Sequence, residues 1–280
     1  MGNPDARSSP WGIPTLLGVP LDSNSSYRRG AAGAPPLLRD SLTCSATNLW
    51  TETGVDVGAP GAWSDSGDLT LPREGAFQLI EEAVGALLEK RRRPVILGGD
   101  HSITYPVLRA FGPRFPGLTL LQFDAHPDLY DDFGGNRFSH ASPFARIMEE
   151  GLAGRLIQIG IRCLNAHQRR QAERFRVTIV PLGRSRALED LEKGVPVYLS
   201  FDMDVLDPAF APGVSHREPG GLTVREVLEH LHSLSAPIVG ADIVEFNPAC
   251  DVSGLTAAVA GKILKEILGK MIACGPHHPG

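Results

Sequence analysis

Leu118-Thr119-Leu120-Leu121-Gln122-Phe123 runs straight into Asp124-Ala125-His126-Pro127-Asp128, and Val195-Pro196-Val197-Tyr198-Leu199-Ser200-Phe201 runs into Asp202-Met203-Asp204. Each stretch is a short apolar run that ends at once in carboxylates. Runs of this length, bounded by polar residues, predict strands buried on both faces, as in a parallel sheet covered by helices. A third run, Pro94-Val95-Ile96-Leu97, leads in the same manner into Gly98-Gly99-Asp100-His101-Ser102. Residues 13–19, 156–161, 177–180 and 238–244 repeat the apolar, turn-bounded pattern. Between these strands lie helical periods. Residues 74–90 place Phe77, Ile80, Val84 and Leu87 on one face, residues 102–110 open at Ser102, residues 224–234 follow Thr223 as an N-cap, and residues 257–271 close the chain. The alternation predicts right-handed βαβ units and a three-layer α-β-α architecture around a central, mostly parallel sheet. Residues 20–66, rich in Gly, Pro, Ser and Asn, read as loops with one short helix near 37–42, and as a candidate pocket wall.

At 280 residues, 42% hydrophobic and 21% charged, the chain has the composition of one large folded unit. A single catalytic domain over 13–274 is expected, with flexible ends at 1–12 and 275–280, where His277 and His278 belong to the tail. A formal net charge of −5 gives no footprint for nucleic acid or an anionic membrane surface, and no run approaches the ~18 apolar residues of a membrane helix. The partner expected is therefore a small molecule. Cysteines stand at 44, 163, 250 and 274 without a CxxC pair, and the start carries no signal-like segment, so a reducing cytoplasm is expected.

In open α/β sheets ligands bind beyond the carboxyl ends of the strands, where all three polar motifs fall. Period-two spacing turns Asp124, His126 and Asp128 to one side of an extended segment, and Asp202 with Asp204 likewise. Four carboxylates held together repel, and two divalent cations supply the compensating charge. With His101, His126 and no thiolate, the donor set suits Mn²⁺ and also admits Co²⁺, Ni²⁺, Fe²⁺ or Zn²⁺. Two such ions can jointly activate a water near neutral pH. Asp207, followed by Pro208, reads as a turn former, and Asp100 as a group that orients His101. Two other classes fit less well. A dinuclear phosphoesterase places its Asp-x-His motif before Gly-Asp, whereas Gly-Asp-His comes first here. A metal-dependent binding protein without catalysis is expected to lack a bridging carboxylate or a proton-carrying histidine.

Gly98-Gly-Asp-His-Ser102, Asp124-Ala-His-Pro-Asp128, Ser200-Phe-Asp-Met-Asp-Val-Leu-Asp-Pro208 and Glu245-Phe-Asn-Pro248 resemble the signature motifs of the ureohydrolase family of arginases and agmatinases, over nearly the whole chain. Gly18-Val-Pro-Leu21, Phe138-Ser-His-Ala-Ser142 and Asp207-Pro-Ala-Phe-Ala-Pro-Gly-Val-Ser-His216 are similar to plant-type arginases in particular. The resemblance implies an arginase-like fold and two Mn²⁺ ions per subunit. One would be held by His101, Asp124, Asp128 and Asp202, the other by Asp124, His126, Asp202 and Asp204, with Asp124 and Asp202 bridging. It further implies that His140 is a proton shuttle, that Glu245 holds the substrate's guanidinium, and that Asp128 joins them in the catalytic set. A homotrimer or homohexamer is implied as well.

The reaction so implied is cleavage of the guanidino C–N bond of arginine to urea and ornithine. The alternatives are agmatine, giving putrescine and urea, or another linear guanidine or amidine. Animal-type arginases hold the α-amino group with an aspartate where this chain has Asn165, and Asp131-Asp-Phe-Gly-Gly-Asn-Arg137 is unlike their carboxylate-binding loop. Asn136 and Asn165 are the expected tail contacts beside Glu245. Arg137 is a further candidate for a carboxylate, and Asp131 and Asp132 favour a cationic tail.

Overall fold

The computed structural model describes residues 12–183, 188, 191 and 194–273. The tail at 275–280, nearly all of the expected flexible start, and Cys274 lie outside the described residues. Eight parallel strands form one sheet in the order β2-β1-β3-β8-β7-β4-β5-β6. They are β1 Ile13–Val19, β2 Ser64–Asp68, β3 Arg92–Gly98, β4 Thr119–Phe123, β5 Arg155–Ile159, β6 Thr178–Val180, β7 Val197–Asp202 and β8 Ile238–Val244. The helices are α1 Ala34–Thr43, α2 Ala76–Glu89, α3 Thr104–Phe111, α4 Pro143–Glu149, α5 Ala166–Arg174, α6 Val224–Ser233 and α7 Leu255–Ala273.

Successive strand residues feed two cores on opposite faces of the sheet. Leu16, Leu121 and Leu199 pack with Leu38 of α1, Leu228 of α6 and Ile263 of α7. Leu17, Leu120 and Tyr198 pack instead with Ile80 of α2, Phe111 of α3 and Phe144 of α4. Helices therefore cover both faces, which is why the strands are apolar throughout rather than alternating. The three-layer expectation is borne out. The capping residue read before α6 is also present: Thr223 Oγ1 accepts from the Glu226 amide at 3.2 Å, and Glu226 Oε2 accepts from the Thr223 amide at 2.8 Å.

The loop expectation for 20–66 needs correction at its end. Ser64–Asp68 is an edge strand paired to β1 although its sequence, Ser-Asp-Ser-Gly-Asp, contains no apolar residue. Its pairing is fixed by polar contacts: Thr15 Oγ1 lies 2.8 Å from Ser64 Oγ, and Arg39 of α1 bonds Asp65 at 2.7 Å and Asp68 at 2.5 Å. An edge strand with one solvated face needs no hydrophobic pattern, so none was there to read. α4 and α5 lie in stretches for which the sequence reading expects no helix.

The sheet order places the polar motifs side by side. From β1 the chain moves to β3, then crosses to β4, β5 and β6 on the other side, and β7 and β8 later fill the centre. The crossing point lies beyond the ends of β3, β8, β7 and β4, the position at which such sheets bind ligands. Gly99 is needed there, because a Cβ on it would sit 1.8 Å from the Leu21 carbonyl oxygen, which accepts from the Asp100 amide at 2.7 Å.

Candidate metal centre

His101 heads a short 3₁₀ turn after β3 and is fully buried. Its Nε2 lies 2.9 Å from Ser200 Oγ, and Ser200 donates to Asp242 Oδ1 at 2.7 Å. With its own proton directed at Asp242, Ser200 accepts from His101 Nε2–H, so Nδ1 is the ring nitrogen turned toward the carboxylates. That Nδ1 makes no hydrogen bond, yet it stands 3.0 Å from Asp124 Oδ2, 3.1 Å from Asp128 Oδ2 and 3.1 Å from Asp202 Oδ2. Burial works to lower the His101 pKa, but the three facing carboxylates draw it well above its ordinary value, so the pocket calls for positive charge, which a proton on Nδ1 or a divalent cation can supply. The residues present fit a divalent metal.

The carboxylates stand on a row of buried polar side chains one pleat below them. Strand register aligns Asp242 of β8 with Ser200 of β7, Ser200 with Gln122 of β4, and Gln122 with Gln158 of β5. Gln158 Nε2 donates to Gln122 Oε1 at 2.6 Å and to the Pro127 carbonyl at 2.7 Å, and Gln122 Nε2 donates to Asp124 Oδ2 at 2.7 Å. Tyr198 and Thr104 donate to the other oxygen of Asp242 at 2.8 and 2.9 Å. This row orients Asp124 and also His101, the latter a role expected of Asp100. Asp100 instead accepts from the Ser102 and Asn24 amides at 3.1 and 2.9 Å and does not touch the imidazole. An isolated Asp inside the apolar run 238–244 was the available signal.

The second half of the cluster is built the same way. His126 Nδ1 lies 3.0 Å from Asp204 Oδ2 and 3.5 Å from Asp124 Oδ1, while Asp124 Oδ1 also accepts from the His126 amide at 2.6 Å. Asp204 Oδ1 accepts from the Ala125 amide at 3.1 Å, and Asp202 Oδ1 from the Asp204 amide at 2.8 Å. Asp124 thus faces both imidazoles. Four donor groups among the described residues are close enough to hold an ion: His101-Asp124-Asp128 and Asp124-His126-Asp204 in the cluster, and His140-His216-Glu245 and His126-Cys163-Glu218 around it. Burial and the charge of Asp124 push Asp128 up to about 7, and burial with the charges of Asp204 and Asp124 pushes Asp202 well above the carboxylate range. Cations would relieve that repulsion. Asp207 takes no part: it accepts from the amides of Ala209 and Gly220 at 2.9 and 2.7 Å, the turn role read from Asp-Pro.

Glu245 directly follows β8 at φ 62°, and Asp128 sits at φ 50°, both in left-handed backbone that costs a non-glycine residue of order 1–3 kcal/mol. Glu245 Oε1 accepts from the His101 amide at 2.9 Å and lies 2.8 Å from His140 Nδ1. Burial works to raise the Glu245 pKa, but the facing His140 and these hydrogen bonds hold it below its ordinary value. His140 is 8% exposed, so it is a wall of the site rather than a residue at its mouth. Burial works to lower its pKa, and Glu245 more than offsets this, drawing it up to about 9. On the other edge of the ring, the Ser26 amide donates to Nε2 at 3.2 Å, favouring the neutral form, and Ser26 Oγ lies 2.8 Å away. The glycine-rich stretch after β1 therefore does wall the pocket.

These groups open into a cavity of about 490 Å³ lined by Ser26, Asp128, His140, Asp202, Asp204 and Glu245, and by an outer set that includes Tyr130, Asn165, His216 and Glu218. Asn165 lines it, but its side chain caps α5 through the Gln168 amide at 2.9 Å and donates to Tyr130 OH at 2.5 Å. Asn136 is not among the lining residues, which corrects its expected place at the substrate: it bonds Asn24 Oδ1 at 3.2 Å and the Phe138 amide at 2.9 Å. Arg137 pairs with Glu149 of α4 at 3.1 Å, Asp131 accepts from Gln171 of α5, and Asp132 accepts from the Gly135 amide, so each of these side chains has a partner outside the cavity lining. His216 and Glu218 reach the cavity from the segment after β7, where a lone polar residue in a loop carries no periodic signal.

The Arginase family model matches residues 14–269. The chain is 48% identical to the mitochondrial arginase 1 of Arabidopsis thaliana, over 92% of this chain and 80% of the relative. It is 33% identical to the agmatinase of Bacillus subtilis, over 90% of each. The solved arginase from Medicago truncatula superposes with a TM-score of 0.86 at 42% identity, covering 93% of this chain and 88% of that one. The cytoplasmic expectation is overturned by the names of these relatives, since the arginases 1 of A. thaliana and Oryza sativa are mitochondrial and arginase 2 of A. thaliana is chloroplastic/mitochondrial. The cysteine pattern does not name a compartment. No helix among the described residues is long and apolar enough to cross a membrane. Family model, sequence relatives and fold agree: the chain belongs to the arginase family of metal-dependent hydrolases that act on guanidino C–N bonds.

Proposed function

We propose that this chain hydrolyses arginine to urea and ornithine with two Mn²⁺ ions held by His101, Asp124, His126, Asp128, Asp202 and Asp204, in one catalytic unit over 13–274. The observation that carries the metal reading is the convergence of three carboxylate oxygens on Nδ1 of buried His101 at 3.0 to 3.1 Å. The choice of manganese rests on an oxygen-rich donor set with two imidazoles. The choice of arginine rests on the greater identity to plant arginases, 48% against 33% for the agmatinase.

When bound, the ions supply Lewis-acid activation of water near neutral pH. Glu245 orients the substrate. Its Oε1 is taken by the His101 amide and His140, so Oε2 is the oxygen left to accept from a guanidinium N–H. Asp128 lines the cavity beside it, placed to accept the proton released on attack at the guanidino carbon. His140 holds a proton between Glu245 and Ser26, and Ser26 Oγ at 2.8 Å from Nε2 links the ring to the cavity, a route for that proton to the departing amine. Buried walls exclude bulk water from the guanidino end.

One observation favours agmatine as the runner-up: among the described residues, no Lys or Arg lines the cavity to meet a substrate carboxylate. Urea release from arginine and from agmatine, compared as kcat/KM with Mn²⁺-loaded protein, separates the two. A preference for arginine is expected, and a strong preference for agmatine would replace the reading. The trimer or hexamer is proposed on the same resemblance, and light scattering measures it.

A further inference from the structure

The outer cavity contains one carboxylate that the chemistry above does not use. Glu218 lines the same cavity as Glu245 and the metal ligands, and its side chain is 38% exposed. Its Oε1 stands 3.8 Å from His126 Nε2, beyond hydrogen-bonding reach, and its side-chain neighbour is the Cys163 thiol, a weak donor. No Lys or Arg among the described residues forms an ion pair with it. Its position is nevertheless fixed. The Arg162 guanidinium donates to the Glu218 carbonyl at 2.6 and 3.0 Å and to the Asp204 carbonyl at 2.7 Å, tying the main chain beneath Glu218 to that beneath a metal ligand.

The neighbouring wall offers no competing anion. Asn165 has both ends of its amide engaged, by the Gln168 amide and by Tyr130, Asp131 accepts from Gln171 of α5, and Asp132 accepts from the Gly135 amide. Glu218 is therefore, among the described residues, the one cavity carboxylate that is neither a proposed metal ligand nor Glu245, although it stands 3.8 Å from the ligand His126.

We infer that Glu218 is a specificity residue that binds the ammonium group at the far end of the substrate, so that the site selects guanidines with a cationic amine tail and disfavours guanidino acids that lack one. The inference rests on the guanidine-hydrolase reading of the inner site. Arginine and agmatine place their amine the same number of bonds from the guanidino carbon, so one carboxylate serves both. A half-exposed carboxylate facing an ammonium adds a charge-assisted hydrogen bond, and against a carboxylate-only tail it adds repulsion.

The test is Glu218→Gln, Mn²⁺-loaded, assayed for urea from arginine, agmatine and 5-guanidinopentanoate, which is arginine without its α-amine. Calorimetry of ornithine and 5-aminopentanoate binding runs alongside and needs no turnover. Expected are a loss of about 10-fold in kcat/KM for arginine and agmatine, carried by KM, with 5-guanidinopentanoate unchanged or improved and bound manganese unchanged. Wild type should bind ornithine more tightly than 5-aminopentanoate, and the variant should lose that preference. An equal loss on all three guanidines together with lost manganese would overturn the inference, because Glu218 would then be orienting His126. Unchanged arginine kinetics and ornithine binding would overturn it as well. The ornithine preference without urea from any guanidine would uphold Glu218 and defeat the catalytic reading alone.

Discussion

At the floor of the cavity, Asp124, Asp202 and Asp204 are 0 to 3% exposed, and each accepts a hydrogen bond from a named neighbour while turning an oxygen toward an imidazole. At the rim, the Glu218 side chain is 38% exposed, and Asn165 spends its amide on a helix cap and a tyrosine. The floor is set by strand register, which a buried parallel sheet fixes firmly. The rim is set by loops, whose side chains answer to local capping and solvent. Reaction type and substrate choice thus belong to parts of the molecule under different constraints, and substitutions in the two should fail differently.

The largest effect belongs to the floor. Asp124→Asn removes the carboxylate facing both imidazoles and should lower urea release by roughly 1,000-fold or more while bound metal falls, both measured on one preparation. Retention of two ions with full activity would show that Asp124 does not bridge. His140→Asn should cost about 100-fold in kcat with metal content intact, because it removes a proton carrier and no ligand. Loss of manganese in that variant would make His140 part of the metal cradle. Ser200→Ala, one pleat below the ligands, should weaken manganese affinity by roughly 10-fold to 100-fold with turnover recovering at saturating Mn²⁺, as outer partners of metal-bound histidines do. Unaltered affinity would mean that the polar row is structural only.

The smallest effect is one of pH on the metal-free fold. His140 is raised above its ordinary 6.5 to about 9, so the protonated ring contributes stability fully below pH 6.5, and that contribution is lost as pH rises through about 9. The difference in Tm between wild type and His140→Asn should therefore be widest near pH 6 and shrink above pH 9, measured by thermal unfolding without metal. A gap independent of pH would mean that the Ser26 amide holds the ring neutral throughout.

What could be read from the sequence divides along the same line. β1 and β8 are the apolar runs 13–19 and 238–244, and the six proposed metal ligands follow strands whose ends lie together. Burial on both faces leaves a dense apolar signature, and carboxylates clustered after it stand out. The pairing of Ser200 with Asp242 was not legible, because it exists only once β7 and β8 align in register. Ser26, which meets His140 across more than a hundred residues of chain, was hidden for the same reason. β2 was missed because four polar residues and a glycine at a sheet edge resemble a loop, and the role of Glu218 because nothing in its segment shows that Arg162 ties it to Asp204.

The most direct measurement is a metal count joined to turnover: chelate the protein, add back Mn²⁺ in steps, and record bound ions per chain and urea from arginine at each step. Two ions per chain, with activity rising as the second binds and arginine preferred over agmatine, is the predicted result. Undiminished turnover in the chelated protein, or full activity with a single ion, would contradict the dinuclear centre.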